Sequence, residues 1–154
     1  LGRDPRRPRL RLPGGGGIPD VTTVFTDIHL YVPRHSRATF VERLDFASSL
    51  GHDPARRHGR GPQYLVSDLG QFDFADGRLR LTHLHPGVSE AEVDRRTGFT
   101  VSRSPRVETT PAPTVEELEL LQTKIDPLDV RQLEFLGGSR RREALEAILR
   151  AEHG

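Results

Sequence analysis

Apolar positions in this 154-residue chain come in short runs broken by Gly, Pro and Arg, and the spacing within each run predicts an element. Residues 21–28 alternate well enough to predict a strand. Residues 39–46 offer Phe40, Leu44 and Phe46 as the inward side of a second strand. Residues 50–61 are dense in Gly, Pro, His and Arg and predict a surface loop. Residues 64–68 and 71–74 read as strands, and Ala75-Asp76-Gly77 as the turn after them, because Asp and Gly tolerate the positive φ of tight hairpins. Residues 78–83 then return with Leu79 and Leu81 on one face and Arg78 and Arg80 on the other.

Beyond Pro86-Gly87 the period changes. Ser89 and Glu92 have the spacing of a capping box, in which each side chain satisfies a backbone N–H at a helix start, and the helix they open stops before Gly98. Residues 99–107 predict one more strand. Pro111-Ala112-Pro113 forms a rigid connector, and Thr114 with Glu117 repeats the capping spacing. The helix that follows presents Leu118, Leu121 and Ile125 on one stripe and ends before Pro127. Gly137-Gly138 separates it from a last helix over about residues 140–152, edged by Leu145, Ile148 and Leu149. The order of elements is that of an α/β domain with a helical C-terminal extension.

Composition narrows the function classes. Charge is nearly balanced, 23 basic against 22 acidic side chains, which argues against a nucleic-acid binder. The basic residues are arginines except Lys124, a pattern that fits either codon usage in a GC-rich genome or bidentate recognition of anions. With no cysteine, the chain has no disulfide, thiolate metal site or cysteine nucleophile. No apolar run approaches the ~18 residues of a membrane span and no secretory signal pattern appears, so a soluble cytoplasmic protein is expected. The chain opens at Leu1 and contains no Met, as a non-standard start codon or a fragment would. The Arg- and Pro-rich residues 1–13 predict an extended, solvated tail, with an anion-binding arm as the alternative.

Candidate chemistry is sparse. His83 and His85 would share a strand face and could share a metal, but no third ligand stands out, and a turn-stabilising hydrogen bond explains His85 as well. His52 and His58 belong to a polar loop and are expected to be solvated. Ser48, Ser49 and Ser67 lack the setting of a nucleophile elbow. Glu42 and Asp45 suit an acid/base pair or charge-paired strand-edge residues. Gly14 to Gly17 are the better candidate: without side chains they let a ligand approach the backbone, whose N–H groups can hold an oxyanion, although a flexible linker has the same composition.

Several segments taken in order resemble one family. Arg11-Leu12-Pro13-Gly14-Gly15-Gly16-Gly17-Ile18-Pro19-Asp20 resembles the glycine-rich loop of family I CoA-transferase β subunits. Phe40-Val41-Glu42-Arg43-Leu44-Asp45-Phe46, Val66-Ser67-Asp68-Leu69-Gly70, His83-Leu84-His85-Pro86-Gly87, Thr97-Gly98-Phe99 and Ile125-Asp126-Pro127-Leu128 follow at the family's spacing. The similarity runs from about Arg9 to Glu134. It is nearest to the glutaconate CoA-transferase type and to its relative, the steroid-ring-opening hydrolase of actinobacterial cholesterol breakdown.

The resemblance implies the C-terminal part of a CoA-transferase (NagB/RpiA-like) domain with a mixed sheet over residues 1–134, and a helical extension over 135–154. It implies an α-subunit partner in a hetero-oligomer, acyl-CoA and carboxylic acid substrates, and no permanently bound cofactor, coenzyme A being a substrate. In such enzymes a glutamate attacks the thioester and becomes an enzyme-bound CoA thioester, which passes CoA to a second acid. That glutamate is expected upstream of Leu1, because none of Glu42, Glu90 or Glu92 matches its position; no catalytic or metal-binding residue is therefore expected in this chain. Gly15, Gly16 and Gly17 are the expected oxyanion and thioester-binding positions. An inactive truncated product is the third reading. A subunit lacking strands would leave a bare sheet edge and apolar surface, and so behave poorly alone.

Overall fold

A computed structural model of the chain describes residues 14–153; the Arg/Pro-rich segment 1–13 and its predicted extended form lie outside the described residues. The chain divides into two compact units, Leu1–Glu108 and Thr109–Gly154.

The first unit is built on a mixed five-stranded sheet in the order β1 (Ile28–Val32), β2 (Pro62–Ser67), β3 (Gly70–Ala75), β4 (Arg78–Leu84), β5 (Ser102–Thr109). β1 and β2 are parallel, whereas β2, β3 and β4 are antiparallel neighbours. The β3–β4 turn is the predicted one, with Asp76 at φ 51° and Gly77 at φ 72°. Register explains the core. Leu65 pairs with Phe72 and Phe72 with Leu81, so three apolar side chains line up on one face. Phe40, Leu69, Val93 and Val101 close over them, and Phe72, Leu81 and Val93 are almost wholly out of solvent. Val93 comes from helix α2 (Glu90–Arg96), where Ser89 Oγ accepts from Glu92 N at 3.2 Å. Only that half of the predicted box forms, since the Glu92 carboxylate sits 3.5 Å from Arg95 and Arg96 instead.

Two predicted strands are corrected. Residues 21–28 do not form one: helix α1 (Ile18–Val24) occupies the first half of them, and β1 begins only at Ile28. The helix wins because Pro19 presets φ in its first turn, and because Thr22 and Thr23 satisfy their hydroxyls on the carbonyls of Ile18 and Pro19 at 2.7 and 2.6 Å. Residues 39–46 are turns and bends. The Ser36 carbonyl accepts from both Thr39 N and Phe40 N, which curls the chain; Phe40 turns inward while Leu44 and Phe46 stay exposed. These residues lie in the crossover 33–61 that parallel strands require. The last strand also starts later than predicted, at Ser102.

In the second unit α3 (Val115–Leu120) carries the complete predicted capping box, with Glu117 N donating to Thr114 Oγ1 at 3.1 Å and Thr114 N to the Glu117 carboxylate at 2.8 Å. One π-helical turn (Leu121–Ile125) continues it to Asp126, whose carboxylate caps a 3-10 turn (Val130–Glu134) through Val130 N and Arg131 N. Helix α4 (Gly138–His153) follows, with Leu145 and Leu149 exposed.

Candidate functional site

The glycine run forms a turn into α1. Ile18 N donates to Gly15 O at 3.1 Å and Val21 N to Gly17 O at 3.0 Å, so the ordering bonds use glycine carbonyls. Pro19 has no N–H and Ile18 N is already spent on Gly15 O, so the donors this turn can offer a ligand are the N–H groups of the glycines that precede the helix. Gly16 is in the left-handed region at φ 56°, which a side chain would oppose. A Cβ added at Gly14, Gly16 or Gly17 would meet open space, whereas one at Gly15 would press on Ser48 Cβ at 3.3 Å. Gly15, Gly16 and Gly17 thus lie together on an open surface beside the crossover.

A second cluster lies at the carboxyl ends of β1 and β2, where ligands enter open α/β sheets. Here His35, fully buried, stacks on Phe40 with centroids 3.6 Å apart. Its Nε2 lies 2.9 Å from Thr97 Oγ1 and its Nδ1 3.0 Å from Ser67 Oγ. Thr97 spends its one hydroxyl proton on Val93 O, so it accepts from His35 Nε2–H, and Nδ1 in turn accepts from the Ser67 hydroxyl. Burial lowers the His35 pKa to about 4; the Asp68 carboxylate opposes that shift and the Arg96 guanidinium adds to it. Asp68 takes His35 N at 2.6 Å and Arg96 Nη2 at 2.8 Å, while Arg96 Nε donates to His35 O. Every group in this cluster is satisfied internally, and Ser67 is 2% exposed. It is a clamp between crossover, β2 and α2, in which His35, Ser67 and Thr97 are buried while the Asp68–Arg96 pair that ties them down keeps a side-chain exposure of 31% on each partner. Sequence reasoning missed His35; the signal lay in Asp68 and Arg96, which mean little until the fold brings them together.

The other candidates disperse. His83 faces Thr82 and Glu108, whereas His85 Nε2 bonds Ser67 O at 2.9 Å, a structural bond that reaches the end of β2, 18 residues away, where a bond stabilising its own turn was expected. No group of three metal-binding side chains exists among the described residues. Glu42 and Asp45 are exposed on an irregular segment, so no strand edge pairs them. Ser49 Oγ accepts from Gly51 N at 3.3 Å. His58 is exposed as expected, but His52 is half-buried with its ring 4.8 Å from Phe74, because the loop folds back on the sheet. A cleft of about 610 Å³ beside Thr97 and Gly98 is lined by Arg37, Arg103, Glu42 and Asp94, and its charges cancel. Arg103 there is held by Asp94 at 2.7 Å and Glu90 at 3.0 Å, and both carboxylates raise its pKa.

No family model matches the chain. Curated proteins do. A 3-oxoadipate CoA-transferase subunit of Pseudomonas knackmussii is 34% identical over 128 residues, covering 77% of this chain and 49% of that one. The cholesterol ring-cleaving hydrolase IpdB subunit of Mycobacterium tuberculosis is 33% identical over 137 residues, covering 84% and 54%. Among solved structures, glutaconate coenzyme A-transferase from Acidaminococcus fermentans superimposes with a TM-score of 0.71 at 25% identity, over 84% of this chain and 52% of that one. The chain spans about half the length of the curated relatives it matches. The mixed sheet, the glycine turn and these relatives together make the chain a member of the family I CoA-transferase β-subunit family.

Proposed function

We propose that the chain is part of the β subunit of an acyl-CoA:carboxylate CoA-transferase that works with an α subunit. The carrying observation is the open glycine turn of residues 14–17, set in a fold shared with glutaconate CoA-transferase. In this reading a glutamate outside the described residues attacks the acyl-CoA thioester. N–H groups of Gly15, Gly16 and Gly17 receive the oxyanion that develops on the carbonyl, where a side chain would block approach. Collapse of that intermediate breaks the acyl C–S bond and leaves an acyl–glutamyl anhydride and the CoA thiolate. The thiolate attacks the glutamyl carbonyl and expels the free carboxylate, so that CoA stays on the glutamate as a thioester, and a second carboxylate takes it by the same steps in reverse. The relatives' names as subunits support the α partner. No described helix is long and apolar enough to cross a membrane, which agrees with chemistry in the cytoplasm.

The likeness to the ring-cleaving hydrolase subunit supports a second reading, hydrolysis of a carbon ring in a CoA thioester without a glutamyl intermediate. One experiment separates the two. The full-length protein, co-purified with an α-type subunit and mixed with acyl-CoA, is analysed by intact mass with and without hydroxylamine. A hydroxylamine-sensitive CoA adduct supports transfer. Turnover with no adduct and water incorporated into the product supports hydrolysis, and absence of acyl-CoA binding removes both.

A further inference from the structure

The loop 50–61 is more than a surface connection. Its neck is pinched shut: a Cβ on Gly61 would lie 2.5 Å from Gly51 O, and both glycines take positive φ. Loops whose ends meet in this way are compact and often functional. The crown holds Arg56, Arg57, His58 and Arg60, and among the described residues no carboxylate forms a salt bridge with any of these arginines. Arg56 is fixed by the carbonyls of Gly51 and His58, yet its Nη2 is buried with no hydrogen-bond partner. At the base of the loop, His52, Tyr64 and Phe74 line a cleft of about 290 Å³, and Arg60 stands in its wall. The one carboxylate of that lining, Asp73, is engaged by Arg80 through two bonds of 2.9 and 2.6 Å. Aromatic rings beside uncompensated arginines suit a ligand with a flat base and several phosphates.

The position fits as well. The crossover runs along α1: Ser48 meets the glycine turn at Gly15, and Gly59 packs on Thr26 just past the other end of the helix. The seven residues of α1 span ~10 Å, a distance that an extended pantetheine arm can cross.

We infer that the arginine loop 50–61 and the cleft beneath it bind the phosphorylated adenosine end of a CoA thioester. Arg57 and Arg60 take the phosphates, and His52, Tyr64 and Phe74 take the base. This rests on the CoA reading of the glycine turn but concerns a separate surface. The test is calorimetric titration of the full-length protein, assembled with an α-type subunit, with adenosine 3′,5′-bisphosphate, CoA and pantetheine. Wild type is compared with Arg57→Ala/Arg60→Ala and with Arg60→Lys, each checked for an unchanged unfolding midpoint. The double variant weakens the bisphosphate and CoA by about tenfold or more and leaves pantetheine unchanged, and Arg60→Lys recovers part of the loss. Equal CoA affinity in wild type and double variant overturns the loop assignment and leaves the CoA reading standing. Bisphosphate binding that depends on the arginines, without any binding of CoA or pantetheine, does the reverse. Failure of all three ligands to bind the folded assembly overturns both.

Discussion

Within the first unit, the two faces of the sheet are finished to different degrees. The inner face is closed: Phe72, Leu81, Val93 and Val101 are almost fully buried, and the His35 clamp leaves none of its polar groups unpaired. The outer face is bare. Tyr31 and Tyr64 remain 60% and 54% exposed, and α1 buries none of Ile18, Val21 and Val24. Parallel strands such as β1 and β2 normally have both faces covered. In this unit the inner face is closed by the chain's own residues and the outer face is not. The contrast also separates rigidity from chemistry. The clamp holds the crossover in place, and the glycine turn and arginine loop carried by or beside that crossover stay open.

The contrast breaks first in the core. Phe72→Ala removes the residue that links the β2 and β4 sides of the inner face and costs about 3–5 kcal/mol, read from urea unfolding. Acid comes next. The unfolded His35 titrates near 6.5 and the folded one near 4, so as pH falls through that window the unfolded chain takes up a proton that the folded chain refuses. Stability is thus fully present above pH 6.5 and declines toward pH 4 by on the order of 3 kcal/mol. His35→Asn flattens that part of the pH profile. Gly61→Ala forces a side chain onto Gly51 O at positive φ and costs about 1–3 kcal/mol, with loosening of the loop visible as faster amide exchange. The smallest effect belongs to the outer face: Tyr31→Thr with Val66→Thr changes stability by less than about 1 kcal/mol while raising solubility. A large loss there would mean that the face is already packed.

Much of this was legible in the sequence, for physical reasons. The β3–β4 hairpin announces itself through Asp76-Gly77 between alternating runs, and α3 through its capping box, because both signals are local. The family resemblance is legible for the same reason, since its motifs are contiguous. Two failures were local and the others long-range. Val21 and Val24 carry strand propensity, but Gly17, Pro19 and two threonine back-bonds decide for a helix. Residues 39–46 alternate like a strand, yet Phe40 goes inward because His35 offers it a ring to stack on. His35 itself was invisible: its partners Ser67, Asp68, Arg96 and Thr97 lie more than thirty positions away, at separations of 32 to 62 residues. His52 looked solvated because nothing local shows the loop folding onto Phe74.

The most direct measurement concerns Gly17, where a Cβ meets nothing within the fold. In the full-length protein assembled with an α-type subunit, Gly17→Ala is compared with wild type for unfolding midpoint and acyl-CoA turnover. An unchanged midpoint with turnover reduced by about a hundredfold places the thioester at the glycine turn. Full turnover by the folded variant would contradict it.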